Sequence, residues 1–118
     1  MASQNETGHR TFTAGAALEP WRRVKLGSDG ETVVYADADD KGIGVTQGPA
    51  FKAGDSVPVR LFTAPGTHKI ESSGVIADAA RAFAASDGMI AATGSVSCGR
   101  INGAAQANSI NEVYHQAA

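Results

Sequence analysis

One short phrase occurs twice in this chain. "LGSDGETVVYA" (residues 26–36) and "AASDGMIAATG" (residues 84–94) both read as strand, Ser-Asp-Gly turn, strand. An Asp-Gly pair supplies the positive φ that tight hairpin turns need, so each copy predicts a hairpin. The correspondence extends further. With Gly15 set against Gly74, "RVKLGSDGETV" (23–33) falls on "RAFAASDGMIA" (81–91). Gly44 and Gly48 then fall on Gly99 and Gly103, and "GDSVPV" (54–59) falls on "NSINEV" (108–113). The offset shrinks from 59 at Gly15 and Gly74, through 58 at the Ser-Asp-Gly turns, to 54 at the last strand, which requires loop deletions in the second copy. Each unit reads as strand, turn, strand, loop, Gly-x-x-x-Gly segment, strand, over about residues 15–61 and 74–115. Short strands with frequent turn signals predict an all-β fold, a small barrel or sandwich built from two related units. Residues 12–118 form one domain in this reading, because neither half buries enough apolar surface alone.

Composition sharpens that point. The chain has 118 residues, of which 22 are alanine and only 27 are large apolar residues (Val, Ile, Leu, Met, Phe, Trp, Tyr). Alanine buries little area, at roughly 25 cal/mol per Å², while ordering each residue opposes folding by roughly 1–2 kcal/mol. The core is thin, and thin cores are commonly supplemented by a metal, disulfides or a partner surface. The single cysteine, Cys98, excludes an internal disulfide framework. An oligomer, or a place on a larger assembly, is the expectation that remains. Net charge is −2 and the charges are mixed, with no basic stripe for nucleic acid and no apolar run long enough to span a membrane. The first eleven residues are polar and without period, which predicts a flexible N-terminal arm over 1–11. That start lacks the apolar stretch of a secretory signal, so synthesis and folding in a reducing cytoplasm are expected, and Asn5-Glu6-Thr7 reads as a chance sequon.

Phe12 is the first apolar anchor. Val24 and Leu26 alternate with Arg23 and Lys25, "TVVYA" follows as a β-branched strand, and "IGVT" (43–46) as a short one. "SVPVRLFT" (56–63) has the best period-two pattern, with Val57, Val59 and Leu61 on one face. Pro58 cannot donate to a ladder, so the strand belongs at an edge or has Pro58 on an unpaired side. After the "APGT" turn (64–67), "HKIES" (68–72) is expected to return as its hairpin partner. "ADAARAFAAS" (77–86) has helical composition, yet the repeat makes "ARAFA" a strand like "RRVKL".

No catalytic constellation emerges. His9, His68 and His115 do not sit at zinc-binding spacings. Cys98, in "SVSCGR", reads as a small buried hydrophobe. Asp37, Asp39 and Asp40 are followed by Lys41 and Gly48 where a calcium loop needs oxygen ligands, so they read as a solvated turn. "GIGVTQG" lacks the spacing and the following helix of a dinucleotide fingerprint. Trp21-Arg22-Arg23 suits either a protein contact or local packing, since Trp and Arg are favoured interface anchors. The residues point to a protein that is not an enzyme and needs no cofactor or metal.

The order of "GAAL", "VKL", "TVVYADADDKGIGV", "KAGDSVPVRL", "SSGVI", "SDGMIAATG" and "NEVYH" resembles the capsid decoration, or cement, proteins of tailed bacteriophages, over residues 12–115. The second unit departs from the pattern at "NSINEVYHQAA" and "DAARAF". The resemblance implies a β-tulip-like fold and a structural protein on the outside of the virion capsid. It implies a homotrimer, or a dimer as in some members, that binds the major capsid protein after the head expands. It implies no direct contact with nucleic acid or membrane. Phe12, Trp21, Arg22 and Arg23 near the arm, and the turn from Thr63 through Pro65 to His68, are the contact candidates. A free-standing β module that binds a carbohydrate or peptide on a host surface is the alternative.

Overall fold

Period-two alternation is visible strand by strand. In β5 (Ser56–Leu61), Val57 and Val59 point inward and are fully buried, while Ser56 and Pro58 face out. The same rule builds β1 (His9–Ala14), β2 (Arg23–Leu26), β3 (Thr32–Tyr35) and β4 (Gly44–Thr46), and then β6 (His68–Glu71), β7 (Arg81–Ala84), β8 (Ile90–Ala91), β9 (Ser97–Asn102) and β10 (Ile110–Tyr114). This computed structural model describes residues 8–64 and 66–114.

The first five strands close into a barrel in the order β1-β3-β2-β4-β5, with β5 returning to β1 from His9↔Arg60 to Thr13↔Ser56. The last five form a curled sheet in the order β6-β10-β9-β7-β8. Matching β6 to β1, and so on through β10 to β5, gives the same cyclic order, cut open between β8 and β6. In the barrel that seam is closed by the parallel pairs Thr13↔Thr32 and Ala14↔Val33. Among the described residues, the second sheet has only the bridge Ser72↔Ile90 at that seam. The loop after β8 explains the difference. It is three residues shorter than the loop after β3, because the offset falls from 58 at the Ser-Asp-Gly turns to 55 at Gly44 and Gly99. The chain must leave β8 after two residues to reach β9.

The likeness of the units reaches the backbone. Bridge Leu18↔Ala50 matches Ile76↔Ala105. The left-handed residues Trp21 (φ 64°) and Ala79 (φ 61°) occupy corresponding positions, as do Gly54 (φ 95°) and Asn108 (φ 62°). Each unit has its own core: Phe12, Leu18, Val24, Val33, Val57 and Val59 in the first, and Ile70, Ile76, Ile90, Ile101 and Val113 in the second. Val45 of β4 packs into the second core and so stitches the units together.

Three expectations need correction or refinement, and a fourth holds. Residues 68–72 are not the hairpin partner of β5: β6 pairs with β10 and opens the second unit as β1 opens the first. The repeat therefore begins a strand earlier than Gly15 and Gly74. β5 is no edge strand, being flanked by β1 and β4, and Pro58 lies opposite Thr11 just past the last β4 pair, Thr46↔Val59. "ARAFA" is strand, as the repeat requires, despite its helical composition. β1 starts at His9, so residues 9–11 of the stretch read as an arm are ladder-paired, while residues 1–7 lie outside the described residues.

The two Ser-Asp-Gly turns also differ. At 86–88 the expectation holds: Asp87 (φ 56°) and Gly88 (φ 74°) are left-handed and the Met89 N–H closes on the Ser86 carbonyl. At 28–30 Gly30 is not among the positive-φ residues. There the Asp29 carboxylate accepts from the Glu31 and Thr32 N–H groups and closes the turn by side chain. Those bonds hold the Asp29 carboxyl below its ordinary range. A Cβ at Gly88 would overlap the Arg23 carbonyl oxygen, whereas one at Gly30 meets nothing within 4 Å. Gly88→Ala should therefore lose more than about 1 kcal/mol in equilibrium urea unfolding. Gly30→Ala should stay within about 0.5 kcal/mol of the parent. Equal losses would contradict the distinction.

Candidate functional site

The junction between the units is organised by Arg23, which opens β2 and is fully buried. Its guanidinium donates to five carbonyls. Nη1 reaches the Asp40 oxygen at 2.5 Å and the Lys41 oxygen at 3.3 Å, and Nη2 reaches the Asp37 oxygen at 3.4 Å, all within the first unit. Nε reaches the Met89 oxygen at 3.0 Å and Nη2 the Ala85 oxygen at 2.6 Å, at the base of the second unit's Ser-Asp-Gly turn. Burial pushes its pKa down from the ordinary value, yet a guanidinium stays charged in a protein. The turn is seated further by Gly88 N–H donating to the Ala36 carbonyl at 3.0 Å.

Arg22 continues the junction on the outside. Its Nε and Nη2 bind both carboxylate oxygens of Glu71 on β6 at 3.3 and 3.2 Å, and Nη1 donates to the Asp87 carbonyl at 3.1 Å. The guanidinium also lies 5.5 Å from the Tyr35 ring centroid. Trp21 accepts from the Glu71 N–H through its carbonyl at 2.9 Å. Its ring sits under the Lys69 ammonium, 5.6 Å from centroid to nitrogen. Trp21, Gln47, Arg60, Thr67, Lys69 and Glu112 line a cleft of about 200 Å³ between the units. Glu112 accepts from Thr67 Oγ1 at 2.6 Å and Asn102 Nδ2 at 2.8 Å, and these bonds hold its carboxyl below the usual range.

The contact candidates therefore separate. Arg23 and His68 are buried and have internal roles; Phe12 is core, with the Arg10 guanidinium 5.6 Å from its ring centroid. Trp21 and Arg22 are part-buried at the junction, Thr63 is exposed on the connection between the units, and Pro65 lies outside the described residues, as does His115. His68 donates from Nε2 to the Leu61 carbonyl at 2.9 Å and packs edge-on against Phe62, 5.2 Å between centroids. Burial is the main cause pushing its pKa below the ordinary 6.5, with the Arg60 charge adding to it. Cys98 is buried, and burial pushes its thiol up. Among the described residues no three His, Cys, Asp or Glu side chains gather to hold a metal ion.

Sequence reasoning missed one surface. Phe51 is 82% exposed and, with Ala17, Pro20, Tyr35 and Pro49, walls an open groove of about 420 Å³ on the first unit. The turn-rich setting of "GPAFKAGD" was the available signal, since an aromatic in such a loop has no strand to carry it inward.

No protein-family model and no curated protein matches the sequence. Among solved structures the fold is similar to the head fiber gp8.5 N base in bacteriophage phi29, with a TM-score of 0.74, 15% identity, and 92% of each chain covered. At that identity the likeness establishes the fold, and it does so across both units.

Two outcomes follow from the junction. Arg23→Met removes a charge and strands five carbonyls, so urea unfolding should show a loss of about 3–5 kcal/mol; a loss below about 1 kcal/mol would contradict the cradle. His68 is harder to protonate in the folded chain, so the unfolded chain binds the extra proton first. Unfolding free energy should hold above the ordinary value of 6.5 and fall as pH drops through it towards the lower folded value. His68→Gln should flatten that stretch of the pH profile; an unchanged slope would contradict the assignment.

Proposed function

We propose that this protein is a structural component of a tailed-bacteriophage head. It attaches to the outside of the expanded capsid and clamps neighbouring major capsid protein subunits. The observation that carries the reading is the fold likeness to a phage head fiber base across nearly the whole of both chains. The sequence resemblance to decoration proteins points the same way. In this reading the protein is made in the host cytoplasm, resides in the virion, self-associates as a homotrimer and performs no catalysis. Selective binding of the expanded lattice stabilises that lattice by mass action, and many copies multiply a modest contact energy. The apolar groove beside Phe51 is the surface on which the reading places the shell. An aromatic exposed this far adds little to the fold and is suited to anchor an interface.

A second reading draws on the cleft between the units. Trp21 offers an aromatic plate beside Lys69, Gln47 and Glu112, a set able to hold a sugar or a peptide end. Binding to a glycan or peptide array without capsids would favour it.

The test is to mix purified protein with expanded and unexpanded heads and sediment them. Saturable binding to expanded heads alone is expected. Phe51→Ser should reduce that binding tenfold or more, on the order expected for an interface anchor, and leave thermal unfolding unchanged. Equal or absent binding to both head forms would overturn the proposal.

A further inference from the structure

The repeat gives Arg23 and the turn seated on it counterparts, Arg81 and Ser28–Gly30, and both are exposed. Arg23 corresponds to Arg81, the first residue of β7. Arg23 is buried under the Ser86–Gly88 turn, while Arg81 is exposed and, among the described residues, its side chain makes no hydrogen bond or ion pair. Val45, the ladder partner of Arg23, corresponds to Arg100, the ladder partner of Arg81. Two arginines thus stand directly opposite one another on the outer face, an arrangement that disfavours the isolated sheet. Arg100 spends one donor on the Ala79 carbonyl at 3.0 Å, and its other ladder partner is the exposed Tyr114.

The turn has an unused counterpart too. Ser28-Asp29-Gly30 in the first unit is exposed. Gly88 must be glycine because it meets the Arg23 backbone; Gly30 has no such neighbour and no positive φ, so nothing in the single chain demands glycine there. Beside it Leu26 is 42% exposed, although its counterpart, Ala84, is buried. Where the internal turn carries Met89, this turn carries Glu31. The two exchanges are complementary: Val45 becomes Arg100 on the receiving side, and Met89 becomes Glu31 on the inserting side.

We infer that the Ser28–Glu31 turn of one copy seats on the Arg81–Arg100 face of a second copy, repeating between chains the contact made within each. The shortened loop after β8 leaves that face without the carbonyls that enclose Arg23, so the incoming turn supplies the opposite charge through Glu31. The contact is heterologous, head to tail, and closes into a ring or extends according to its rotation. This deepens the self-association in the proposed function and rests on that part alone. Assembled protein that fails to bind heads would sink the capsid role and leave this contact standing.

Sedimentation equilibrium tests it with two charge reversals at exposed positions, Arg81→Glu and Glu31→Arg, each checked for an unchanged thermal transition. Wild-type protein should self-associate with rising concentration. Each variant alone should associate about tenfold or more weakly, as for an interfacial arginine. Mixed together, the two variants should associate with each other again, because the mixture restores opposite charges at both kinds of contact. Wild-type protein that stays monomeric at every concentration, variants that associate like the wild type, or a mixture without restored association would each overturn the inference.

Discussion

The two halves of this molecule are held together around a buried cation. A guanidinium with no exposed surface must have its charge and its donors satisfied inside, and Arg23 does so through five carbonyls drawn from both units. Hydrogen bonds to a charged group are worth about 1.5–3 kcal/mol each, and an unsatisfied buried charge costs several. The first unit's loop at 37–41 and the second unit's turn at 85–89 are therefore fixed by one side chain. The Arg22–Glu71 pair and the insertion of Val45 into the second core reinforce the same seam. A chain with so few large apolar side chains gains rigidity from a polar centre that neither unit could complete alone.

Duplication alone would give two equal barrels. The structure has one barrel and one open sheet, and a loop three residues shorter accounts for the difference. It truncates β8, loosens the β6–β8 seam to a single bridge, and leaves Arg81 without the enclosure that Arg23 enjoys. The asymmetry gives the chain an occupied junction around Arg23 and leaves the matching position, Arg81, exposed.

Much of this was legible in the residues. The Ser-Asp-Gly phrases marked two hairpins, the alternation of Val57 and Val59 marked β5, and the repeat overruled helical composition at "ARAFA" because tertiary pairing outweighs intrinsic propensity. The destination of β6 was hidden. A Pro-Gly turn between two strands reads as a local hairpin, and only the repeat extended by one strand would have sent His68–Glu71 to the second sheet. The burial of Arg23 was hidden for a stronger reason. The Ala85 and Met89 carbonyls that cage it lie more than 60 positions away in sequence, and backbone carbonyls leave no mark on composition. The arginine at the matching position, Arg81, gives no signal either, because it is exposed.

The claim that the units form one cooperative body is tested most directly by native-state hydrogen exchange. Amides in the centres of β5 and β10 lie in different sheets, and neither strand supplies a carbonyl to Arg23. If the seam couples the units, both sets should exchange through the same global opening, with one free energy and one denaturant dependence. Two separate tiers in the wild-type protein, with one unit opening while the other stays protected, would contradict it.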